Sequence, residues 1–159
     1  MTKKIIVGIG VIIVSFIIIQ TIRFNYSGRD IQQFKFFNLN NKEVKLKEIF
    51  DKKNSKLILY IIPDCESCTS KIQSILSDKK YSKSQVIIIS VGLKTFDFTK
   101  FYIDNFKNYN VTFLIDSNNT FYRDFGLGFT EEFPTVIQFN QDKNEFERIY
   151  DYQLNVKQF

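Results

Sequence analysis

The stretch LILYIIPDCESCTSKIQSIL, residues 57–76, decides the fold. Its first six residues, Leu57 to Ile62, are apolar throughout, as expected of a central strand covered on both faces. Pro63 ends that strand and shapes the turn, with no chemical role of its own. Cys65 and Cys68 follow as the only two cysteines in the chain. Beyond them, Cys68, Ile72, Ile75 and Leu76 recur at helical spacing, with Lys71, Gln73 and Lys79 outside, so Thr69 to Leu76 reads as a helix that ends by Lys80. A C-x-x-C at a strand-to-helix junction is a place where two thiols can close and reopen a disulfide.

Composition narrows the chemistry. Histidine is absent from the 159 residues. That removes Ser-His and Cys-His catalysis, the usual imidazole ligands for zinc or copper, and copper delivery that needs a histidine. Two thiolates alone rarely make a structural zinc site, so no metal and no cofactor is expected. A redox couple, a structural disulfide, or two buried thiols remain open. The net charge is +5. Lys3, Lys4 and Arg23 account for three of the 22 basic residues and all 17 acids lie beyond them, leaving 19 basic against 17 acidic residues. That balance gives no case for nucleic-acid binding. The 18 Phe and eight Tyr supply bulky core candidates rather than a cofactor box.

The first 23 residues stand apart. Residues 1–4 form a short basic stub. Ile5 to Ile22 carries no charge and would reach about 27 Å as a helix at about 1.5 Å per residue, against a hydrocarbon core of roughly 30 Å. The run is long for a cleaved signal peptide and no small-x-small site follows it. Residues 5–22 are therefore expected to be a single-pass transmembrane signal-anchor, with a cleaved leader as the competing reading. Lys3 and Lys4 favour a cytoplasmic N-terminus. Residues 23–31 read as a tether and 32–159 as the folded domain. Either reading exports the bulk of the chain to a compartment where a disulfide persists. The richness in Ile, Lys, Asn and Phe suggests a bacterial, AT-rich source.

Along the exported part, strands are expected at Phe34–Asn38, in the region Val44–Phe50 (running into a helical turn), at Gln85–Val91, Val111–Ile115 and Thr135–Phe139, with Glu145–Tyr150 returning as an antiparallel partner after a turn at Asn140–Asn144. Helices are expected at Phe96–Tyr109, with Phe98, Phe101, Tyr102 and Phe106 inward, and at Thr120–Phe125, closed near Gly126 or Gly128. Asp116 to Asn119 reads as a turn. Alternating strands and helices imply a sheet covered on both faces.

The strand before Cys65-Glu66-Ser67-Cys68, Phe133-Pro134-Thr135 before the hairpin, and the Phe-Leu-Ile-Asp-Ser-Asn segment at 113–118 together resemble the thioredoxin superfamily over roughly Gln32 to Tyr152. The resemblance is greatest to its membrane-anchored, extracytoplasmic TlpA/ResA-like thiol-disulfide branch. It implies an α/β, thioredoxin-like three-layer fold, with a central mixed sheet, helices on both faces and the transmembrane helix in front. It also implies a Cys65–Cys68 redox disulfide, with Cys65 as nucleophile and Cys68 as resolving thiol. Pro134 is expected to be a cis-proline beside the cysteines, leaving the backbone of Phe133 to pair with an extended substrate. The expected partners are exported thiol or disulfide proteins and a membrane electron donor, with the domain on the periplasmic side of a bacterial cytoplasmic membrane.

At a helix N-terminus, unpaired N–H groups and the helix dipole favour a thiolate at Cys65. Asp64 and Glu66 oppose it, so only modest stabilisation is expected, which points to a reductant rather than a strong oxidant. Several positions depart from the superfamily. Asp64 stands where many members have Trp, and Glu66-Ser67 where many have Pro. Leu59 occupies the position of the buried acid, leaving water, Glu131 or Glu132 to carry protons. Little chain remains for a final helix, which is expected to be short or missing. A peroxiredoxin-like peroxidase would want P-x-x-x-T-x-x-C, but Pro63 is too close and Ile62 holds the Thr position. A non-catalytic thioredoxin-fold binding module in an export or surface complex is the alternative function.

Overall fold

In the computed structural model, which describes residues 10–19, 34–50, 55–127, 131–140 and 145–150, the stretch that decides the fold becomes strand β3 (Lys56–Ile61) and helix α3 (Glu66–Ser77). Every residue of β3 is buried. It lies beside β4 (Gln85–Val91), parallel and in register from Lys56–Gln85 to Ile61–Ser90. On the far side of β4, β5 (Val111–Asp116) continues the parallel run. On the other side of β3 the direction reverses: β6 (Thr135–Asn140) is antiparallel, and β7 (Glu145–Ile149) is antiparallel to it. At the opposite edge β1 (Lys35–Phe37) pairs antiparallel with β5 and with β2 (Glu43–Lys45). The sheet is mixed and seven-stranded, in the order β2-β1-β5-β4-β3-β6-β7.

Strand alternation sends successive side chains to opposite faces. Leu57, Leu59 and Ile61 face a cluster containing Ile72 and Ile75 of α3 together with Ile88, Phe106 and Phe113. Fully burying an Ile of this kind contributes about 1.5–3 kcal/mol. Ile58 and Tyr60 face the other way, into an aromatic cluster that holds α2 (Leu46–Ile49) and α5 (Phe121–Asp124) against the sheet. Phe121 sits at its centre, with ring centroids 5.2 Å from Phe34, 5.5 Å from Phe36, 5.3 Å from Tyr60 and 5.1 Å from Phe125. Helices thus cover both faces.

Two helices differ from the sequence reading, each because of a cap. The cysteine helix begins at Glu66, earlier than Thr69, since Cys65 itself occupies the N-cap. Its C-terminal end is Ser77, followed by a 3-10 turn at Lys79–Tyr81. The helix expected over Phe96–Tyr109 is only α4, Phe98–Asn105. Asp97 starts it by accepting from the Lys100 N–H at 2.9 Å, the usual service of an Asp N-cap. Within α4 no residue is fully buried; Phe98, Phe101 and Tyr102 pack at the edge of the core, and Phe106, just past the helix, is its buried anchor. Gly126, at φ 75°, adopts the left-handed conformation that ends α5.

Residues 10–19 form a helix, α1, whose apolar side chains from Val11 to Ile19 are more than half exposed. No helix among the described residues is long and apolar enough to cross a membrane. The rest of the expected 5–22 span, the tether at 23–31, most of the turn at 140–144 and the chain end lie outside the described residues.

Candidate functional site

The parallel strands β3, β4 and β5 all end on the same side of the sheet, where Ile61, Val91 and Asp116 lie in adjacent ladders. The loop leaving β3 runs through buried Pro63 and exposed Asp64 to Cys65. Asp64 has φ 64°, a left-handed conformation that Asp tolerates better than most residues because its short side chain bonds locally. That reversal delivers Cys65 to the N-cap of α3.

Cys65 and Cys68 are joined as a disulfide, with their Cα atoms 5.2 Å apart. The two sulfurs differ in access. Cys65 is partly exposed, whereas Cys68 is 3% exposed. The Cys65 sulfur accepts the Cys68 backbone N–H at 3.2 Å, and the Ser67 hydroxyl lies 3.4 Å away. A disulfide sulfur carries no proton, so the hydroxyl is the donor. The Cys65 carbonyl accepts the Thr69 N–H at 3.0 Å and the Thr69 hydroxyl at 3.1 Å, fixing the first turn. The arrangement therefore places donors around one reachable sulfur and covers the other. Charge developing on Cys65 during exchange meets two donors and the helix dipole, opposed by the exposed carboxylates of Asp64 and Glu66.

The peptide between Phe133 and Pro134 is cis. The β3–β6 register sets Tyr60 opposite Thr135, so Pro134 sits just before the ladder, at the end of β3 from which the cysteine loop departs. The Phe133 ring packs 5.6 Å from Tyr60, half-buried against the aromatic core.

Leu59 is fully buried in the cluster beneath α3, and it offers no proton. Glu131 and Glu132 are exposed. Glu132 pairs with Arg148, which also donates to the Tyr122 hydroxyl at 3.2 Å and the Leu127 carbonyl at 3.0 Å.

Sequence reading missed the buried carboxylate that does exist. Asp116 reads in the sequence as a turn residue, yet it closes β5 at 3% exposure. It accepts the Tyr60 hydroxyl at 3.2 Å and the Phe121 N–H at 2.9 Å. Burial, and then Asp116 beside it, hold the Tyr60 phenol well above the ordinary tyrosine range. The signal was Tyr60 itself, the one hydroxyl in an otherwise aliphatic buried strand, since a buried phenol requires a partner. Among the described residues, no group of three or more carboxylates and thiols converges to hold a metal ion.

The fold and the disulfide at the tip of α3 define a thioredoxin-like protein of the thiol-disulfide class. The Redoxin family profile matches residues 26–157, and the chain belongs to that family. Together, family and C-x-x-C pair support thiol-disulfide oxidoreductase activity. No curated protein matches the sequence significantly. Among solved structures, a thioredoxin-like protein from Porphyromonas gingivalis is similar at TM-score 0.60 and 15% identity, covering 80% of this chain and 84% of that one. A secreted Mycobacterium tuberculosis disulfide oxidoreductase, homologous to Escherichia coli DsbE, is similar at TM-score 0.56 and 14% identity, covering 77% and 87%. MTB DsbF, solved in mixed oxidized and reduced forms, is similar at TM-score 0.55 and 13% identity, covering 74% and 84%. At these identities the likeness is one of fold.

Proposed function

We propose that this protein is a membrane-tethered thiol-disulfide oxidoreductase that reduces disulfides of exported proteins through Cys65 and Cys68. The observation that carries this reading is the asymmetry of the pair: a partly exposed Cys65 sulfur ringed by donors, and a Cys68 sulfur buried behind it. In the reduced protein, Cys65 attacks the partner disulfide and forms a mixed disulfide. Cys68 then attacks Cys65, and the partner leaves with both its sulfurs reduced. The cis peptide at Phe133–Pro134 turns the backbone beside this end of the sheet, where the main chain of Phe133 would pair with an extended partner segment.

Membrane tethering is supported by the exposed, uncharged and mostly apolar helix over residues 10–19 and by the basic residues Lys3, Lys4 and Arg23 that flank the apolar run. The Redoxin match begins at residue 26, beyond that run. In this topology residues 1–4 are cytoplasmic, 5–22 span the bilayer, 23–31 are a tether, and the domain faces the periplasmic side. Re-reduction then comes from a donor in the membrane, because cytoplasmic reductants do not reach the site.

The reduced protein is expected to cleave an uncharged model disulfide such as 2-hydroxyethyl disulfide. Cys65→Ser should reduce that activity to the uncatalysed background, because it removes the attacking thiolate. Cys68→Ser should stop at a mixed disulfide on Cys65, visible by mass. A native pair that neither opens nor exchanges would instead support the binding-module reading. Alkali-resistant retention in membranes, lost on deleting residues 1–23, tests the tether.

A further inference from the structure

The tip of α3 lies between two clefts of different lining. On the side toward α4, a cleft of about 370 Å³ borders the Cys65 sulfur, lined by Asp64, Glu66, Thr69, Gln73 and Phe101 among others. Asp64 and Glu66 are exposed, and neither pairs with a cation among the described residues. No basic side chain lines this cleft. Its polar wall is built: the Gln73 amide donates to the Asn105 carbonyl at 3.1 Å, and the Asn105 amide to the Phe101 carbonyl at 2.9 Å. On the other flank of α3, a groove of about 360 Å³ is lined by Lys71, Glu132, Phe133, Pro134, Arg148 and Tyr150. There Arg148 is paired with Glu132.

We propose that Asp64 and Glu66 determine partner specificity: the protein selects protein disulfides flanked by Lys or Arg, seated in the α4-side cleft beside Cys65. This rests on the thiol-disulfide reading above. The two acids flank the sulfur that a partner must approach, so a cation within two or three residues of the partner cysteine meets both as the mixed disulfide forms. An acid there meets like charge, which disfavours the encounter. Glu66 can be kept at this cost to thiolate character because an acid in the first turn also favours the helix dipole. The reaction balances without a further reagent. Cys65 thiolate displaces one partner thiolate, Cys68 thiolate displaces the second, two electrons pass to the partner disulfide, and the protons released by the protein thiols end on the partner's two thiols.

The test uses the intact reduced protein and three peptide disulfides, flanked by Lys, by Ser or by Glu. The Lys-flanked peptide should react about fivefold faster than the Ser-flanked one at low salt, and the Glu-flanked peptide slower, as expected for unit charges a few ångströms apart in water. About 1 M salt should erase the ratio. So should Asp64→Asn combined with Glu66→Gln, and the Lys-to-Ser ratio is the proper readout because both peptides share any general change in thiolate reactivity. Equal rates, a Glu preference, or a Lys preference that survives both salt and the double variant would overturn the proposal. Reaction with 2-hydroxyethyl disulfide separates the two levels. If that uncharged disulfide reacts while the peptides show no ranking, specificity fails and the oxidoreductase reading stands. If it does not react either, both fail.

Discussion

The two faces of the sheet are built for different work. Beneath α3 the buried residues include Leu57, Leu59, Ile61, Ile72 and Ile88, and among the described residues no carboxylate is buried there. Across the sheet, the aromatic face holds Tyr60 and Asp116, the latter the one buried carboxylate among the described residues, engaged by the Tyr60 hydroxyl and by the Phe121 N–H that starts α5. The disulfide caps the face that has no buried acid among the described residues. The buried acid sits on the face that has no cysteine. The comparison teaches that here the carboxylate is a clamp between β3, β5 and α5, set apart from the disulfide by the sheet.

The largest expected effect falls on the clamp face. Phe121→Ala empties the ring position shared by Phe34, Phe36, Tyr60 and Phe125. It should cost about 3–5 kcal/mol in denaturant unfolding, while the folded fraction keeps its rate of disulfide exchange.

Asp116→Asn is the sharper test. It keeps an acceptor but loses the charge-assisted bonds to Tyr60 and Phe121, and should cost about 1–3 kcal/mol with exchange rates changed by less than about twofold. A tenfold loss of exchange in a folded Asp116→Asn protein would break the comparison and make Asp116 part of proton supply.

A smaller effect follows from pH. The folded protein holds the Tyr60 proton above the ordinary tyrosine value of about 10, since burial and Asp116 push it up. The unfolded chain releases that proton first. Stability linked to Tyr60 is therefore fully present below about pH 10 and is lost as pH rises further toward the folded value. Tyr60→Phe should flatten the alkaline fall of stability and leave the acid limb unchanged.

Much of this was legible in the sequence because its signals are local. The apolar run before Cys65 and the β-branched Gln85–Val91 segment read directly as two buried strands, and the β4 boundaries match residue for residue; their parallel pairing comes from the structure. Val44 to Phe50 resolved, as read, into a short strand and one helical turn. What escaped depends on partners distant in the chain. Asp116 looks like a turn residue until Tyr60, 56 positions away, supplies its proton. Arg148 is pinned by Tyr122, Leu127 and Glu132, contacts that no spacing rule foretells. Helix α4 is shorter than its sequence suggests because aromatic periodicity from Phe96 to Phe106 mimics a longer helix, whereas the Asp97 cap and the buried Phe106 set its ends.

The most direct test of the account is the reduction potential of the Cys65–Cys68 pair in the intact folded protein, by equilibration against glutathione and dithiothreitol buffers. The account predicts a reversible two-electron couple, with a tenfold change in redox ratio for about every 30 mV. It also predicts a potential low enough for a reductant, and loss of the couple in Cys65→Ser. A disulfide that dithiothreitol cannot open while the fold is intact, or a pair that never re-forms one, would contradict it.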